Sequence, residues 1–271
     1  YSFVISNLPK KITKIALVDN WIPHEKRFFD KLLNNQFAKK IDLFVTFSEN
    51  VAFKINKIYL KKIITIFHPI NFSLPKKISK QEACKNLKIS EKYRYILYFG
   101  IVREYKGLDL LINSFAKEII KKENIKLIIA GEFYSKKEKY LNLIDQLKIN
   151  SRIILDPNFI SDNKARDYFC VSDLLAQTYK SSSQSGVTSK AYYYETPILV
   201  SDVNGLKEQI INEKTGTITK LNYDNISKKI IYCLNKKKQS KFILNIRKNK
   251  LKYTWEIFSK KLIEKSKNIY V

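Results

Sequence analysis

Short apolar segments alternate with longer amphipathic segments along most of this chain. In the first part, residues 12–18, 41–47 and 63–67 are short and mostly apolar, whereas residues 24–40 and 49–60 repeat apolar positions with a helical period. Strands that alternate with helices of about ten to fifteen residues favour parallel strands joined by helical crossovers. The pattern therefore predicts β-α-β-α-β for the first part of the chain.

The same alternation is more complete in the second part. Residues 69–80 contain two prolines and no sustained period, so we expect the interdomain linker there. Ser79 and Glu82 then form a capping-box pattern that predicts a helix ending near Lys88. Strands are predicted at 95–99, 126–130, 152–155, 174–176, 198–201 and 217–219, and helices at about 107–121, 135–148, 162–171, 186–195 and 205–211. Six such strands predict a complete doubly wound sheet, whereas the first part supplies about half of one.

The large positive net charge of the chain suggests two kinds of anionic binding partner. The 271 residues include 51 Lys and Arg against 25 Asp and Glu, a balance of +26 that attracts phosphate, so a nucleic acid or an anionic membrane is a candidate partner. Arginine, which nucleic-acid readers favour for bidentate contacts, accounts for only 6 of these basic residues. Abundant Lys, Ile and Asn with few Gly is typical of an AT-rich genome, which we take as the first explanation of the charge.

Other features of the composition favour a globular protein of the cytoplasm. With 45% hydrophobic residues the chain can bury a core, and no apolar run reaches the length of a membrane span. Cys84, Cys170 and Cys233 are odd in number and far apart, which argues against a disulfide framework or a zinc site. The chain has no Met and begins YSFVISNLPKK without a signal-peptide pattern, so we expect that upstream residues are missing.

The loops after the predicted strands are where an open parallel sheet binds its ligand. The first of these loops runs from Gly100 through Arg103 and Lys106 to Gly107, where the next helix begins. Glycine lets the backbone approach a ligand, the first helical turn offers free N–H groups, and lysine adds a positive charge, as a diphosphate site requires. The alternative is a solvated lysine beside an ordinary turn glycine. No G-x-x-x-x-G-K-[ST] or G-x-G-x-x-G motif occurs, so neither a P-loop nor a standard dinucleotide site is indicated.

Two more loops carry candidate chemistry. Segment 181–187, SSSQSGV, leads directly into a predicted helix, and its hydroxyl, amide and N–H groups suit a sugar and a phosphate better than an apolar ligand. A plain serine and glycine connection is the alternative. In Gly131-Glu132-Phe133-Tyr134, a carboxylate stands beside two aromatic residues. These groups either face a ribose or a base, or form a helix N-terminal acid beside packed rings.

Several of these segments together resemble one known family. FGIVREYKGLDLLINSF, LIIAGEFY, SQSGVTSKAYYYETPILVSDVNGLKE and NEKTG occur in the order and spacing of the retaining glycosyltransferases of family 4, also called group 1 transferases. The resemblance covers nearly all of residues 90–220 and places the chain with a subgroup that has the SQSGV loop. More weakly, VDNWIPHEKR resembles a motif of the family's first domain, and YTWEIFSKKLIEKS is similar to its closing helix.

The resemblance implies the α/β arrangement called GT-B, which consists of two Rossmann-like domains with doubly wound parallel sheets. The N-terminal domain is expected to be incomplete in this chain. We expect a partial acceptor-side domain at 1–75, a nucleotide-sugar-binding domain at 76–250, and a C-terminal helix at 251–271 that crosses back to the first domain.

The resemblance also implies roles for individual residues. Lys106, with Gly107, matches the lysine that grips the donor diphosphate. Arg103 lies where a related subgroup keeps its arginine, although many members have it two places earlier, here Ile101. The nucleotide and sugar of the donor are expected to contact Gly100, Glu132, Phe133, Ser182, Gln184, Ser185, Gly186 and Val187. The acceptor side is expected to contain Asp19, Asn20, Glu25 and a candidate catalytic residue, His24, for which a capping or surface role is the alternative.

One position pair departs from the wider family. Two glutamates eight positions apart in that family correspond here to Ser182 and Lys190, and neither is acidic. The subgroup with SQSGV also tends to lack them. The change removes the usual carboxylate for the ribose hydroxyls, and it leaves Lys190 either facing solvent or reaching a phosphate.

The function implied by the resemblance is transfer of a sugar from a nucleoside-diphosphate sugar to a glycan or lipid-linked acceptor, with retention of configuration. No metal and no other cofactor is expected, and the setting is the cytoplasm or the inner face of an anionic membrane. Positive charge placed before the glycosidic bond breaks agrees with such chemistry. Two alternatives stay open: a truncated or degenerate homologue that binds nucleotide without turnover, and a basic nucleic-acid-binding protein.

Overall fold

The structure is a computed structural model that describes residues 4–5, 7–9, 11–22 and 29–267. The chain divides into two compact units, of which unit 1 lies within Tyr1–Pro69 and Tyr253–Val271 and unit 2 is Ile70–Lys252. Within the described ranges, no helix is long and apolar enough to cross a membrane.

Unit 1 contains a three-stranded parallel sheet in the order β1-β2-β3. The central strand is apolar throughout its first three residues, Leu43, Phe44 and Val45, and all three are fully buried because both faces of the sheet are covered. The described elements are β1 (Ile15–Val18), α1 (Asp30–Lys40), β2 (Leu43–Thr46), α2 (Glu49–Asn56), β3 (Lys62–Thr65) and α12 (Trp255–Lys267).

The C-terminal helix α12 covers one face of the unit 1 sheet. Its Phe258 is 5% exposed and packs with Leu43 and Val45, and its ring stacks on that of Phe47 at a centroid distance of 6.1 Å. On the opposite face Phe44 meets Trp21, edge to face, at 5.6 Å. The last helix is therefore part of unit 1, although it is joined in sequence to unit 2.

Unit 2 contains a six-stranded parallel sheet in the order β6-β5-β4-β7-β8-β9, which makes it a doubly wound sheet, as the sequence predicts. Its elements are α3 (Lys80–Leu87), β4 (Arg94–Phe99), α4 (Leu108–Phe115), α5 (Glu118–Lys121), β5 (Ile125–Ala130), α6 (Lys137–Gln146), β6 (Ile153–Asp156), α7 (Asp162–Val171), β7 (Leu174–Gln177), α8 (Gly186–Tyr194), β8 (Ile198–Ser201), α9 (Lys207–Glu213), β9 (Gly216–Thr219), α10 (Tyr223–Leu234) and α11 (Lys236–Lys250).

Several helices differ in extent from the sequence-based prediction. The helix expected at 107–121 is two helices, α4 and α5, because Lys117 takes an extended conformation between them. The helix expected at 49–60 ends at Asn56. The helix expected at 24–40 is described only from Asp30, because residues 23–28 lie outside the described residues.

The segment that the prolines predict to be a linker is in part packed onto unit 2. The boundary falls after Pro69, so residues 70–75 belong to unit 2 rather than to the first domain. Tyr193 donates a hydrogen bond to the Leu74 carbonyl at 2.9 Å, and Tyr194 donates one to the Pro75 carbonyl at 3.1 Å. Two tyrosines of the YYY run in α8 thus hold this segment, a tertiary interaction that local sequence patterns do not reveal.

An ion-pair cluster around Glu195, the residue that follows α8, joins distant parts of unit 2. The carboxylate accepts hydrogen bonds at 2.8 Å from Lys77, Arg247 and Lys250, and the Glu195 side chain is 12% exposed. Burial would raise the pKa of this carboxyl, but the hydrogen bonds from the three cations outweigh it and lower the pKa to about 2. The cluster ties α11 and the segment before α3 to the end of α8.

Replacement of Glu195 by Gln is expected to lower the free energy of unfolding by about 2 kcal/mol at pH 7. A carboxylate whose pKa falls from 4.5 to about 2 on folding contributes stability that is present above pH 4.5 and lost as pH falls toward 2. Urea unfolding of both proteins should therefore show a gap at pH 7 that shrinks as pH is lowered through this range. A gap independent of pH would show that the charge of Glu195 does not carry the effect.

Candidate active site

The candidate site lies where the strand order of unit 2 reverses. Strands β4 and β7 are neighbours at the centre of the sheet, but β4 leads to β5 on one side and β7 leads to β8 on the other. The loops that follow β4 and β7 therefore diverge at this point and leave a crevice at the carboxyl edge, the usual ligand position in such sheets.

Backbone contacts hold these two loops against each other. Gly107 has a left-handed conformation with φ 63°, and a Cβ added there would lie 2.0 Å from the Thr178 carbonyl oxygen. The Thr178 hydroxyl donates to the Gly107 carbonyl at 2.8 Å, and Lys180 N–H donates to the Tyr105 carbonyl at 2.6 Å. Only glycine at position 107 permits this approach of the two loops.

The loop after β5 pairs with the loop after β4 in a similar way. Val102 N–H donates to the Glu132 carbonyl at 2.7 Å, and Tyr134 N–H donates to the Val102 carbonyl at 3.0 Å. A Cβ on Gly131 would lie 2.4 Å from the Gly100 carbonyl oxygen, so these backbones are also in close contact. Glu132 is thereby brought beside the first loop.

Lys106 and the first turn of α8 meet at Gly100. A methyl group added to Gly100 would lie 3.8 Å from Lys106 Nζ and 3.6 Å from Val187 Cγ2. Lys106 Nζ also lies 5.6 Å from the centre of the Tyr179 ring. The two segments in which the sequence predicts diphosphate and sugar contacts therefore converge on one place.

The cation at position 106 is poorly solvated and has a cationic neighbour. Burial, and secondarily the positive charge of Arg103, lower the pKa of Lys106 from 10.5 to about 8. The Arg103 guanidinium lies 5.2 Å from the centre of the Tyr134 ring. Such a charged pair is costly to bury unless an anion offsets it.

Nearby acidic residues are paired with other lysines. Asp109 in α4 accepts a hydrogen bond from Lys180 at 2.8 Å, and Glu104 accepts one from Lys139 at 3.1 Å. In the part of the chain that the structure describes, no carboxylate forms an ion pair with Lys106. The positive charge of Lys106 is thus left for a ligand.

A buried amide shapes the start of α8. Gln177, 1% exposed at the end of β7, donates to the Ser185 hydroxyl at 2.7 Å and accepts from the Thr188 hydroxyl at 3.0 Å. Ser185 stands at the N-cap position, but its side chain makes no capping hydrogen bond. The first turn of α8 therefore begins without a side-chain cap on its N–H groups.

The other loop residues predicted to contact the donor differ in their surroundings. Ser182 is 7% exposed and its hydroxyl donates to the Gln184 carbonyl at 2.8 Å, so it shapes the loop. Phe133 packs edge to face on Tyr140 at 5.7 Å and belongs to the core of unit 2, which corresponds to the packed-ring alternative. Tyr134, in contrast, is 62% exposed and is the aromatic ring at this loop that is open to solvent.

On the predicted acceptor side, Asp19 and Asn20 follow β1 in unit 1, where Asp19 is exposed and Asn20 is half-buried. His24 and Glu25 lie outside the described residues, so their predicted roles stay predictions.

Sequence reasoning missed Gln177, Thr178 and Tyr179, which together place both loops. Their signal was present in the sequence, because polar residues directly after the apolar run Leu174–Ala176 mark the carboxyl end of a buried strand.

Lys190, for which the sequence leaves open solvent exposure or contact with a phosphate, forms an ion pair with a neighbouring helix. Its Nζ lies 2.9 Å from Asp162 Oδ1, at the start of α7. The Lys190 and Asp162 side chains are 29% and 64% exposed, so this is a surface ion pair.

Substitution of Lys190 by Ala is expected to lower the free energy of unfolding by less than about 1 kcal/mol, as is usual for exposed pairs. Because Asp162 holds the ammonium group, we also expect the affinity for the nucleotide sugar that the family resemblance implies to stay within about threefold of wild type. Urea unfolding and nucleotide titration measure the two effects, and Asp162→Ala is the matched control. A tenfold or greater loss of affinity in Lys190→Ala alone would mean that Lys190 reaches the donor.

The doubly wound sheet, with a crevice at its switch point whose positive charge suits an anion, defines a Rossmann-like protein. The sequence profile described as "Glycosyl transferases group 1" matches residues 79–249. The chain belongs to this family, and its two parallel sheets have the α/β fold of the GT-B glycosyltransferases.

Individual relatives are consistent with that assignment. The chain is 26% identical over 205 residues to an uncharacterized glycosyltransferase of Methanocaldococcus jannaschii, and the matched region covers 74% of this chain and 50% of that protein. It is 24% identical over 158 residues to granule-bound starch synthase 1 of Triticum aestivum, and the matched region covers 57% of this chain and 25% of the synthase. The chain thus spans half or less of the length of these curated relatives.

Among solved structures, the Anabaena protein HepE in complex with UDP and glucose superimposes with a TM-score of 0.78 at 14% sequence identity. The match covers 94% of this chain and 71% of HepE. At this identity the match shows a shared fold.

Proposed function

We propose that this chain binds a nucleoside-diphosphate sugar at the crevice of unit 2 and transfers the sugar to an acceptor. The observation that carries the proposal is the approach of Lys106 Nζ and Val187 Cγ2 to one point at Gly100, at the switch point of the sheet. Family membership supports it, and so does HepE, whose structure contains UDP and glucose. Membership also favours this function over that of a basic nucleic-acid-binding protein.

The charges of the crevice suit the departure of a nucleoside diphosphate. When the glycosidic bond breaks, negative charge grows on the diphosphate oxygen that leaves, and fixed positive charge stabilises that charge in the transition state. Lys106 and Arg103 supply full charges, and the first turns of α4 and α8 supply partial ones. We infer that these groups suffice for the leaving diphosphate without a bound metal, and that Glu132, Gln184 and Ser185 orient the nucleotide or the sugar.

The finer features of the reaction rest on the resemblance to family 4. They are retention of configuration, an acceptor that is a glycan or a lipid-linked glycan, and a role for His24 with Asp19, Asn20 and Glu25 near the acceptor. A cytoplasmic setting at the inner face of a membrane suits a protein with a formal charge of +26.

A thermal-shift screen against UDP-, GDP- and TDP-sugars tests donor binding, because a ligand that binds only the folded protein raises the melting temperature by mass action. We expect one nucleotide class to stabilise the protein and the shift to disappear in Lys106→Ala. Assay of transfer from that donor, with NMR assignment of the anomeric configuration, then tests turnover and retention. A shift without transfer to any acceptor would favour the homologue that binds nucleotide without turnover, and no shift with any donor would contradict the proposed site.

A further inference from the structure

We propose that unit 2 has a second anion-binding site, a cavity beside the edge strand β9 that accepts a phosphate group carried on an apolar body, as in an anionic lipid. The proposal rests on the proposed function only in that it gives the membrane contact of the protein a location. The site itself is argued from residues that take no part in donor binding.

The cavity has a volume of about 380 Å³, is open to solvent, and is lined by residues in and beside α9, β9, α10 and α11. Strand β9 is the last strand of the sheet, so its outer edge has no neighbouring strand among the described residues. It is separated from β7, and hence from the donor crevice, by β8. Occupation of one site therefore leaves the other accessible.

Four lysines line this cavity: Lys214, Lys229, Lys238 and Lys241. No Asp or Glu lines it, and within the described ranges none of the four forms an ion pair. Other lysines of unit 2 do pair, as Lys207 does with Asp202 at 2.6 Å. The cavity thus combines concave shape with uncompensated positive charge, which attracts an anion.

The start of α11 adds to the unbalanced charge. Its first three residues, Lys236, Lys237 and Lys238, are all basic, and its first turn contains no acidic residue. The N-terminus of a helix already carries partial positive charge, so lysines there are unfavourable unless an anion is close. A phosphate bound in the cavity would offset this repulsion.

Apolar surface in and around the cavity favours an amphiphile over a free inorganic anion. Ile210 and Phe242 form a buried apolar part of the wall, 1% and 7% exposed. Ile211 and Tyr232, which also line it, are 49% and 41% exposed. An inorganic phosphate gains nothing from such surface, whereas a lipid buries acyl or glycerol carbons against it.

Lysine side chains border that apolar surface in a geometry suited to a lipid interface. Lys229 and Lys238 lie over the Tyr232 ring, with Nζ 5.4 Å and 5.2 Å from its centre. Lysine stems can cover apolar surface while their charged ends reach a phosphate. The chemistry recognised is therefore that of a phosphate headgroup next to hydrocarbon.

Sedimentation with phosphatidylcholine vesicles, with and without phosphatidylglycerol, tests the proposal. In the variant Lys229→Gln/Lys238→Gln/Lys241→Gln, we expect affinity for the anionic vesicles to fall about a hundredfold, since each lysine near an anionic surface contributes about fivefold. The matched control is Lys85→Gln/Lys92→Gln/Lys122→Gln, which removes the same charge from exposed positions away from the cavity. It should lose less than about threefold.

Two further measurements distinguish the possible results. Inorganic pyrophosphate, titrated calorimetrically, reports a soluble anion, and Ile211→Asn should weaken vesicle binding without changing pyrophosphate binding. Equal losses of vesicle affinity in the two triple variants would contradict the proposed site, because net charge alone would then explain binding. Unchanged vesicle binding in Ile211→Asn would contradict the proposal that the ligand is an amphiphile. The donor thermal shift should persist in the cavity variant, which shows that the variant is folded, and its absence in wild type would count against the proposed function alone.

Discussion

Replacement of Lys106 by Ala is expected to lower kcat/KM for the proposed transfer by about 100- to 1,000-fold, the range found when one preorganised group that stabilises transition-state charge is removed. The ammonium group lies beside Gly100 and the first turn of α8, where the diphosphate is proposed to bind. Initial rates over a range of donor concentrations measure the effect. A loss in kcat larger than the rise in KM would place the interaction mainly in the transition state.

The lowered pKa of Lys106 gives a second signature of the same contact. Without ligand, burial and secondarily the charge of Arg103 lower the pKa of Lys106 to about 8. A bound diphosphate favours the charged form, so binding is strongest below pH 8 and requires proton uptake above it. We therefore expect the donor dissociation constant to rise by up to about tenfold per pH unit above pH 8.

Lys106→Arg is the matched control for this dependence. Arginine keeps its charge throughout the range, so its donor affinity should lack the component of pH dependence that Lys106 contributes. Titration of the nucleotide base affects both proteins equally and cancels in the comparison. The same pH profile in wild type and Lys106→Arg would show that Lys106 does not face the diphosphate.

The unfavourable burial of Lys106 also affects stability in the absence of ligand. Because the folded pKa is below the unfolded value of 10.5, the unfolded chain binds more protons between about pH 8 and 10.5. This group therefore makes the protein less stable below pH 8 and relieves that penalty as pH rises. A bound diphosphate would offset this cost, which explains why a buried lysine that destabilises the ligand-free protein stands at this position.

Hydrophobic periodicity is sufficient for the fold of unit 2. Most strands are apolar runs such as 125–130, IKLIIA, that belong in a sheet covered on both faces, and helices such as α4 and α10 repeat apolar positions with a helical period. All six predicted strands are present, and no strand end differs from the prediction by more than one residue. The alternation of strands and helices favours a Rossmann-like strand order, because right-handed crossover connections permit few other strand orders.

The candidate site is less predictable because tertiary contacts decide which side chains are available. Lys106 and Gly107 stand out in the sequence, but the ion pair of Lys190 with Asp162 joins two helices and follows from no local pattern. Gln177, at the end of a strand, likewise donates a hydrogen bond to the Ser185 hydroxyl in a loop, and the start of α8 has no side-chain cap. No local sequence pattern predicts this contact. The spacing of motifs in the sequence identifies the loops that form the site, whereas tertiary packing determines which of their side chains can reach a ligand.

Substitution of Gly107 by Ala is expected to lower the free energy of unfolding by about 3 kcal/mol, which combines a left-handed conformation with a steric clash. The added Cβ would lie 2.0 Å from the Thr178 carbonyl oxygen, a backbone atom that cannot rotate away. Relief of the clash requires separation of the loops after β4 and β7. We therefore expect donor affinity to fall together with stability, which urea unfolding and nucleotide titration measure on the same sample.

Gly186→Ala is the control that separates this effect from the general consequences of a methyl group near the site. No atom lies within 4 Å of a Cβ at position 186, and Gly186 begins helix α8. Alanine there should leave stability unchanged or raise it by up to about 1 kcal/mol, since it restricts the unfolded chain. If Gly107→Ala proves as stable as Gly186→Ala, the two loops are not held by the contact between Gly107 and Thr178. If it is unstable yet binds the donor normally, the crevice tolerates their separation and the diphosphate site lies elsewhere.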